Sequence, residues 1–354
     1  MTLVVTPGAT PTRSLRADAR WRIARAALRV LGVLVVAVLL WFVVIPQFIE
    51  AGHAIHTVRG LSIWPLLLAL VLELTSLASY GALTFSALDP RDRPGYGTVA
   101  LVDVTGVGLT NVLPGGGVVA LAARGRLLAR AGVSASSIVG GLAVEVILSN
   151  LLLGGVFALG LVLCLGHLPP SPYYLVAGAF IAIIFGGAAL ALAIAVRRRE
   201  RVNRTVTQAA ARLPENWRDR VVRFIDDSVA NVAALAEDRG RFAAAVFWGA
   251  VNWLFDGAAL WVLLAVFGFR AEPGPLLLVY GLVCILGLLP ITPGGIGIVE
   301  GVMVPMLVAI GAGPEAAVLG VVAWRLIQFW MPMPLAALSA LVLLARPGSP
   351  APTG

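Results

Sequence analysis

The chain has 354 residues, 59% of them hydrophobic and 12% charged, with a formal net charge of +8 and a mean hydropathy of +0.94. That composition, gathered into long apolar runs, excludes an ordinary soluble domain and places the chain among polytopic membrane proteins. All 26 basic residues are arginine, a usage that points to a GC-rich bacterial genome more than to any chemistry.

Residues 1–24 read as a cytoplasmic tail, Pro/Gly/Thr-rich over 1–12 and disordered there on composition. Arg20, Arg22, Arg25 and Arg29 precede an apolar run that is long for a signal peptide, and the small pair Gly52 and Ala54 is a weak cleavage site. Residues 26–48 are therefore expected to be an uncleaved first crossing. His53 and His56 follow, with no further Cys or His cluster, so loop solvation is a better reading than a metal site.

A spanning helix needs about 20 apolar residues at 1.5 Å each. Besides 26–48, the stretches 61–88, 135–165, 173–196, 242–267 and 314–345 qualify, giving six expected crossings and an all-α polytopic fold. Two further segments are apolar but broken. In 98–123 the break is Asn111-Val112-Leu113-Pro114-Gly115-Gly116-Gly117, and in 275–311 it is Leu289-Pro290-Ile291-Thr292-Pro293-Gly294-Gly295-Ile296-Gly297-Ile298-Val299-Glu300. Around the second break each arm of about 15 residues reaches only ~22 Å against a hydrocarbon core of ~30 Å. Neither arm spans alone, so both segments are expected to be re-entrant helical hairpins, tolerated because protein or water surrounds the broken backbone.

Arginines set the orientation. The N-terminal tail, Arg91, Arg93, Arg124, Arg126, Arg130, the 197–241 block and Arg346 fall on one side, which is then the cytoplasm, with both termini there and the chain in the bacterial plasma membrane. Arg59 and Arg270 fall outside and Arg325 falls at membrane depth. Three crossings separate the hairpins, so they enter from opposite faces. Pro114 precedes Glu145 by 31 residues and Pro293 precedes Arg325 by 32, and an acid-bearing helix, with Glu73 or Asp256, leads into each hairpin. The expected layout is a pair of inverted repeats, about 61–165 and 242–345, within a membrane domain spanning 25–345, an architecture shared by many transporters. The 197–241 segment between them reads as an amphipathic interfacial helix, either a positive-inside anchor or a contact with anionic lipid; 346–354 is a disordered tail.

Six ionisable side chains lie at membrane depth: Glu73, Asp103, Glu145, Asp256, Glu300 and Arg325. Facing them all to lipid would cost on the order of 15 kcal/mol, so they are expected to turn inward. Glu145 and Arg325 hold corresponding positions in the two repeats and are expected to form a pair or a shared polar site, as a structural bridge or as substrate contacts. Gly294, Gly295 and Gly297 permit close backbone approach, and a helix starting near Ile296 would direct unpaired N–H groups at an anionic head group. Glu300 would coordinate a cationic moiety, accept a proton or cap the hairpin. Glu73, Asp103 and Asp256 are candidate proton-relay groups, with internal hydrogen bonding as the alternative. Cys164 and Cys284 lie in apolar runs without partners at motif spacing and read as packing residues. No nucleophile elbow, phosphate-binding loop or Cys/His set is present, and the longest soluble segment, 197–241, is too short for a catalytic domain. Neither an enzyme nor a cofactor, metal or nucleic-acid binder is expected.

Pro290-x-x-Pro293-Gly294-Gly295-Ile296-Gly297-x-x-Glu300, then Ala323-Trp324-Arg325-Leu326-Ile327 and Trp330-x-Pro332, resembles the lysylphosphatidylglycerol synthase transmembrane-region family, also described as flippase-like domain proteins. Asn111-x-x-Pro114 through Gly132-Val133-Ser134 to Glu145 resembles the family's first motif, so the similarity covers about 61–344. There is one departure: the family often shows Glu-Arg at the later point, where here Val146 follows Glu145. The resemblance implies two re-entrant hairpins and movement of lipids between leaflets, aminoacylated phosphatidylglycerol in some members and lipid-linked sugars in others. The soluble transferase domain of full-length members has no counterpart before Gly354, so a separate soluble transferase is an expected partner. Asn111, Pro114, Gly115, Gly116, Glu145, Pro293, Gly294, Gly295, Glu300 and Arg325 are the expected substrate-binding residues, facing a phosphate-bearing anionic head group. The alternatives are an ion-coupled transporter of a small soluble metabolite and a non-transporting accessory subunit of an envelope enzyme. A cavity opening sideways to lipid favours the first reading and a closed aqueous vestibule the second.

Overall fold

Four apolar segments of the described chain are long enough to cross a membrane, and each coincides with an expected crossing. They are α1 (Ile63–Ala87), α4 (Ala135–Cys164), α5 (Arg239–Val266) and the stretch formed by α8 (Pro314–Arg325) and α9 (Pro332–Ala345). The computed structural model describes residues 62–113, 115–164, 186–187, 218, 222, 230, 233–235, 237–289 and 292–346. The expected crossing 26–48, all of 173–196 except residues 186–187, nearly all of the basic 197–241 segment, Pro114 and Pro290 lie outside these residues, as do both tails save Arg346. Among the described residues every regular element is helical.

Both glycine-rich clusters break the helix they interrupt. The first separates α2 (Tyr96–Val112) from α3 (Gly116–Arg130). The second separates α6 (Pro273–Gly287) from α7 (Ile298–Ala309), with a 3₁₀ turn over Pro293–Gly295 between them. At 17, 15, 15 and 12 residues these arms reach about 26, 22, 22 and 18 Å, each short of a ~30 Å core. The backbone reverses through left-handed glycines, Gly115 at φ 64° and Gly294 at φ 52°. A side chain at Gly294 would drive into the Phe329 ring, and a Cβ at Gly116 would sit 2.7 Å from the carbonyl oxygens of Leu109 and Thr110. Glycine at these points is a steric requirement as much as a conformational one.

The two halves exchange partners. Besides packing on its own second arm, α2 lies along α9 of the second half, while α6 lies along α4 of the first; α1 and α5, the helices that lead into the hairpins, pack on each other. This reciprocity is what two related repeats would produce across a pseudo-twofold axis. The largest core, around Leu260, Tyr280, Met303 and Trp324, joins α5, α6, α7 and α8. Outward faces remain apolar: Trp64, Leu67, Leu68, Val71 and Leu74 on α1 recur at helical spacing and are exposed, as are Leu338, Leu341 and Val342 on α9. Such stripes suit hydrocarbon and would be a liability in water.

Two arginines close the carboxyl end of α1. Arg241 Nη2 donates to the carbonyls of Ser86 (3.3 Å) and Leu88 (2.8 Å), and Arg93 Nη1 to that of Phe85 (2.9 Å). These carbonyls have few helical partners, and cations there also complement the helix dipole. Burial and then the neighbouring Arg241 cation push the Arg93 guanidinium down from its ordinary value, with Asp89 opposing them.

Candidate functional site: a cavity between two ion-pair clusters

Each hairpin is tied to the long helix that follows it by an ion pair on a buried arginine, and the polarity of the pair is opposite in the two halves. In the first half Arg124, on α3, donates through Nε to Asp103 Oδ1 of α2 (2.8 Å) and places Nη2 3.0 Å from Glu145 Oε2 of α4. Nη2 also donates to Thr84 Oγ1 (3.1 Å) and Nη1 to the Tyr80 hydroxyl (3.3 Å). Asp103 and Glu145 are both 1% exposed, and the Glu145 contact is one of charge, outside hydrogen-bonding alignment.

In the second half Arg325, at the end of α8, donates through Nε to Glu300 Oε1 of α7 (2.6 Å) and through Nη2 to the Gly294 carbonyl (3.1 Å). Nη1 reaches Gln328 Oε1 at 3.3 Å, and the guanidinium lies 4.4 Å from the centre of the Phe329 ring. The other oxygen of Glu300 accepts the Gly297 N–H at 2.7 Å, capping α7. Immediately after Arg325 the helix widens into a π turn, Leu326–Trp330, in which the Met331 N–H reaches back to the Leu326 carbonyl. The Phe329 carbonyl on this turn accepts the Asn111 side-chain amide at 3.0 Å, joining the first hairpin to the second half. Wide turns of this kind concentrate at working sites.

Between the clusters lies a cavity of about 540 Å³. Of the expected site residues, Asn111, Glu145, Gly294 and Arg325 line it, together with Glu73 and Asp256. Gly115, Gly116, Pro293, Gly295, Glu300 and Asp103 are not on its wall; they shape the hairpins or hold the residues that are. Asp256 accepts from the Tyr280 hydroxyl (2.8 Å) and from Trp324 Nε1 (2.6 Å), and Glu73 lies opposite it, one turn from the hydrogen bonds that join Ser76 of α1 to Asn252 of α5.

Three expectations change. Glu145 and Arg325 share the cavity but do not pair; each finds its opposite charge on its own hairpin, because the folded-back second arm is nearer than the other repeat. Arg124, counted from sequence among the cytoplasmic arginines, is 5% exposed and centres the first cluster, while its neighbours Arg126 and Arg130 are exposed. The sequence did hold a signal for it: the hairpin's second arm carries Glu300 in one repeat and Arg124 in the other, each followed on the long helix by the opposite charge. The Gly297 N–H at the start of α7, expected to be open to an anion, is taken by Glu300. Glu145, followed by Val146, has Arg124 of α3 beside it. Tyr80 and Gln328 complete the two clusters and carry no sequence signal as site residues by themselves; Trp324, already within the Ala323–Ile327 motif, ties α8 to Asp256. Among the described residues no group of His, Cys, Asp and Glu has the makings of a metal site, and Cys164 and Cys284 are free thiols.

Two proteins of Methanothermobacter thermautotrophicus (strain Delta H), each described as a UPF0104 membrane protein, are similar to this chain, one 29% identical over 79 residues and the other 24% identical over 123. The matches span 22% and 35% of this chain and only 23% and 35% of the relatives' own lengths. Residues 29–336 match the family described as the lysylphosphatidylglycerol synthase TM region, reaching further toward the N-terminus than the motif resemblance did. The chain is a multi-pass membrane protein and belongs to the lysylphosphatidylglycerol synthase TM region family.

Proposed function

We propose that this protein is a lipid translocator, moving a phosphate-bearing lipid, either a phospholipid or a lipid-linked sugar, between leaflets by alternating access. In this reading the two hairpins are re-entrant, six helices cross the bilayer of a bacterial plasma membrane with both termini cytoplasmic, and the chain catalyses no reaction. The observation that carries it is the character of the cavity wall. Charged groups stand at its interior, while Val118, Leu121, Val146 and Leu288 on the same wall are exposed apolar side chains, Val118 at 78%. A polar recess with an apolar, open flank suits a head group inside and acyl chains outside, whereas a soluble metabolite needs a wet vestibule.

Arg325 is the group that receives the phosphate. In the resting arrangement Glu300 occupies it as an internal anion, and an incoming phosphate displaces that carboxylate with a stronger, bidentate partner. Freed from Arg325, Glu300 still caps α7, so the helix survives while its hold on α8 is lost. The hairpin can then rock relative to the long helix, the movement that alternating access requires. Anionic lipids are the partners of the site, and a separate soluble transferase is a source or consumer of the lipid.

Purification in native membrane discs followed by lipid mass spectrometry tests the ligand. Enrichment of a phosphate-bearing lipid over the bulk membrane, lost in Arg325→Gln, is the expected result; a lipid profile equal to the bulk for both proteins contradicts it.

A further inference from the structure

The lipid site leaves two acids without a role. Glu73 on α1 and Asp256 on α5 are 5% and 6% exposed and line the cavity. The helices run antiparallel and are bonded to each other at Ser76 and Asn252, so Glu73 and Asp256, each one turn further in the same direction, face each other. Both oxygens of Asp256 already receive donors, the Tyr280 hydroxyl and the Trp324 indole N–H. Glu73 Oε2, by contrast, is buried with no donor. Two bare carboxylates facing each other at such depth repel strongly, and among the described residues no third Asp, Glu, His or Cys joins them to make a metal site. What the pair lacks is one hydrogen.

We infer that Glu73 and Asp256 together form a proton-binding site, and that its occupancy controls the grip of Arg325 on the second hairpin. The inference deepens the translocation reading by naming a coupling ion for the same cavity. With the proton bound, one carboxyl donates to the other and the pair carries a single negative charge. On release the proton passes from the pair to water in the cavity, and the pair is left with two negative charges.

The second charge acts on a nearby cation. Arg325 lines the same cavity as Asp256, and the residue before it, Trp324, is the one bonded to Asp256. Arg325 therefore stands between two acidic attractors, Glu300 on α7 and the pair on α1 and α5. A singly charged pair leaves it with Glu300 and the Gly294 carbonyl; a doubly charged pair draws it toward the cavity and releases the hairpin. The remaining titratable groups facing the pair are Tyr280 and Cys284 of α6, and neither supplies a compensating cation. Arg124 and Glu145, further along the cavity wall, are committed to each other and to Asp103.

The test uses the full chain in lipid nanodiscs and needs no transport. Infrared spectra across a pH series are expected to show a deuterium-sensitive carboxylic-acid carbonyl band in the wild type that fades as pH rises. The band should be missing in Glu73→Gln and in Asp256→Asn. Over the same series, amide hydrogen exchange of residues 294–301, corrected for intrinsic rate, should rise roughly tenfold as the wild-type band fades, within the ordinary range of coupling between sites. It should stay low at every pH in Glu73→Gln, whose amide holds the pair at one charge. A wild type without an acid band overturns the site even if both variants fail to fold. A band that persists in both variants does the same, and hairpin exchange with the same pH profile in Glu73→Gln overturns the coupling. Because neither readout involves lipid movement, a protein that binds the proton and moves no lipid would count against translocation alone.

Discussion

In the first half of the molecule the hairpin carries the cation, Arg124, and the following long helix the anion, Glu145; in the second half the hairpin carries Glu300 and the long helix Arg325. The surroundings differ as much as the signs. Arg124 is held by two carboxylates, a threonine and a tyrosine, with side-chain exposures of 6% for Arg124 and 1% for each acid. Arg325 is held by one carboxylate, 20% exposed, one glutamine and one backbone carbonyl. The two arginines are thus held unequally, with more partners and deeper burial in the first half than in the second. The proposed alternating access would use that asymmetry, one arm holding while the other moves.

The largest expected effect falls in the first half. Arg124→Gln strands Asp103 and Glu145 in the interior and is expected to cost about 3–5 kcal/mol, read as a fall in the denaturation midpoint in detergent or bilayer. Equal stability to wild type would break the contrast between the halves. Arg325→Gln should cost less, about 1.5–3 kcal/mol by the same measurement, because Glu300 keeps its bond to the Gly297 N–H and some access to water. Its effect on lipid movement should be near-complete, so stability and transport separate at this position and not at Arg124.

The agreement between sequence and structure divides along the same line. Expected crossings at 61–88, 135–165, 242–267 and 314–345 match α1, α4, α5 and α8–α9 to within about three residues, because a continuous apolar run of bilayer length has few ways to escape water except by crossing. Both breaks were legible because proline and glycine act locally on the backbone. The second arm of the first hairpin was harder to see, since three arginines interrupt its hydropathy, yet Gly116–Arg130 is one helix with Arg124 turned inward and the other two outward. Counting arginines gives orientation and says nothing of which one is buried. Likewise the repeat arithmetic joined Glu145 to Arg325, whereas each pairs within its own half. Equivalence under a twofold axis is not contact, and the folded-back arms supply nearer partners.

Two smaller changes sharpen the comparison. Gly294→Ala forces a left-handed residue with its Cβ against Phe329, for about 1–2 kcal/mol of destabilisation and slower lipid exchange; Gly115→Ala carries the same backbone strain but has open space for its Cβ, and should cost less in a matched melt. Asn111→Ala removes the bond to the Phe329 carbonyl that joins the first hairpin to the π turn, at about 1 kcal/mol, and is expected to raise amide exchange in Leu326–Trp330 while sparing the Arg124 cluster.

The most direct measurement is leaflet exchange of a fluorescent phosphatidylglycerol in proteoliposomes, read by bleaching the outer leaflet, for wild type, Arg325→Gln and a protein-free control. Exchange well above the control for wild type, falling to the control level in a folded Arg325→Gln, is the predicted result. Wild-type exchange no faster than protein-free vesicles, or undiminished exchange without the Arg325 guanidinium, would contradict the account.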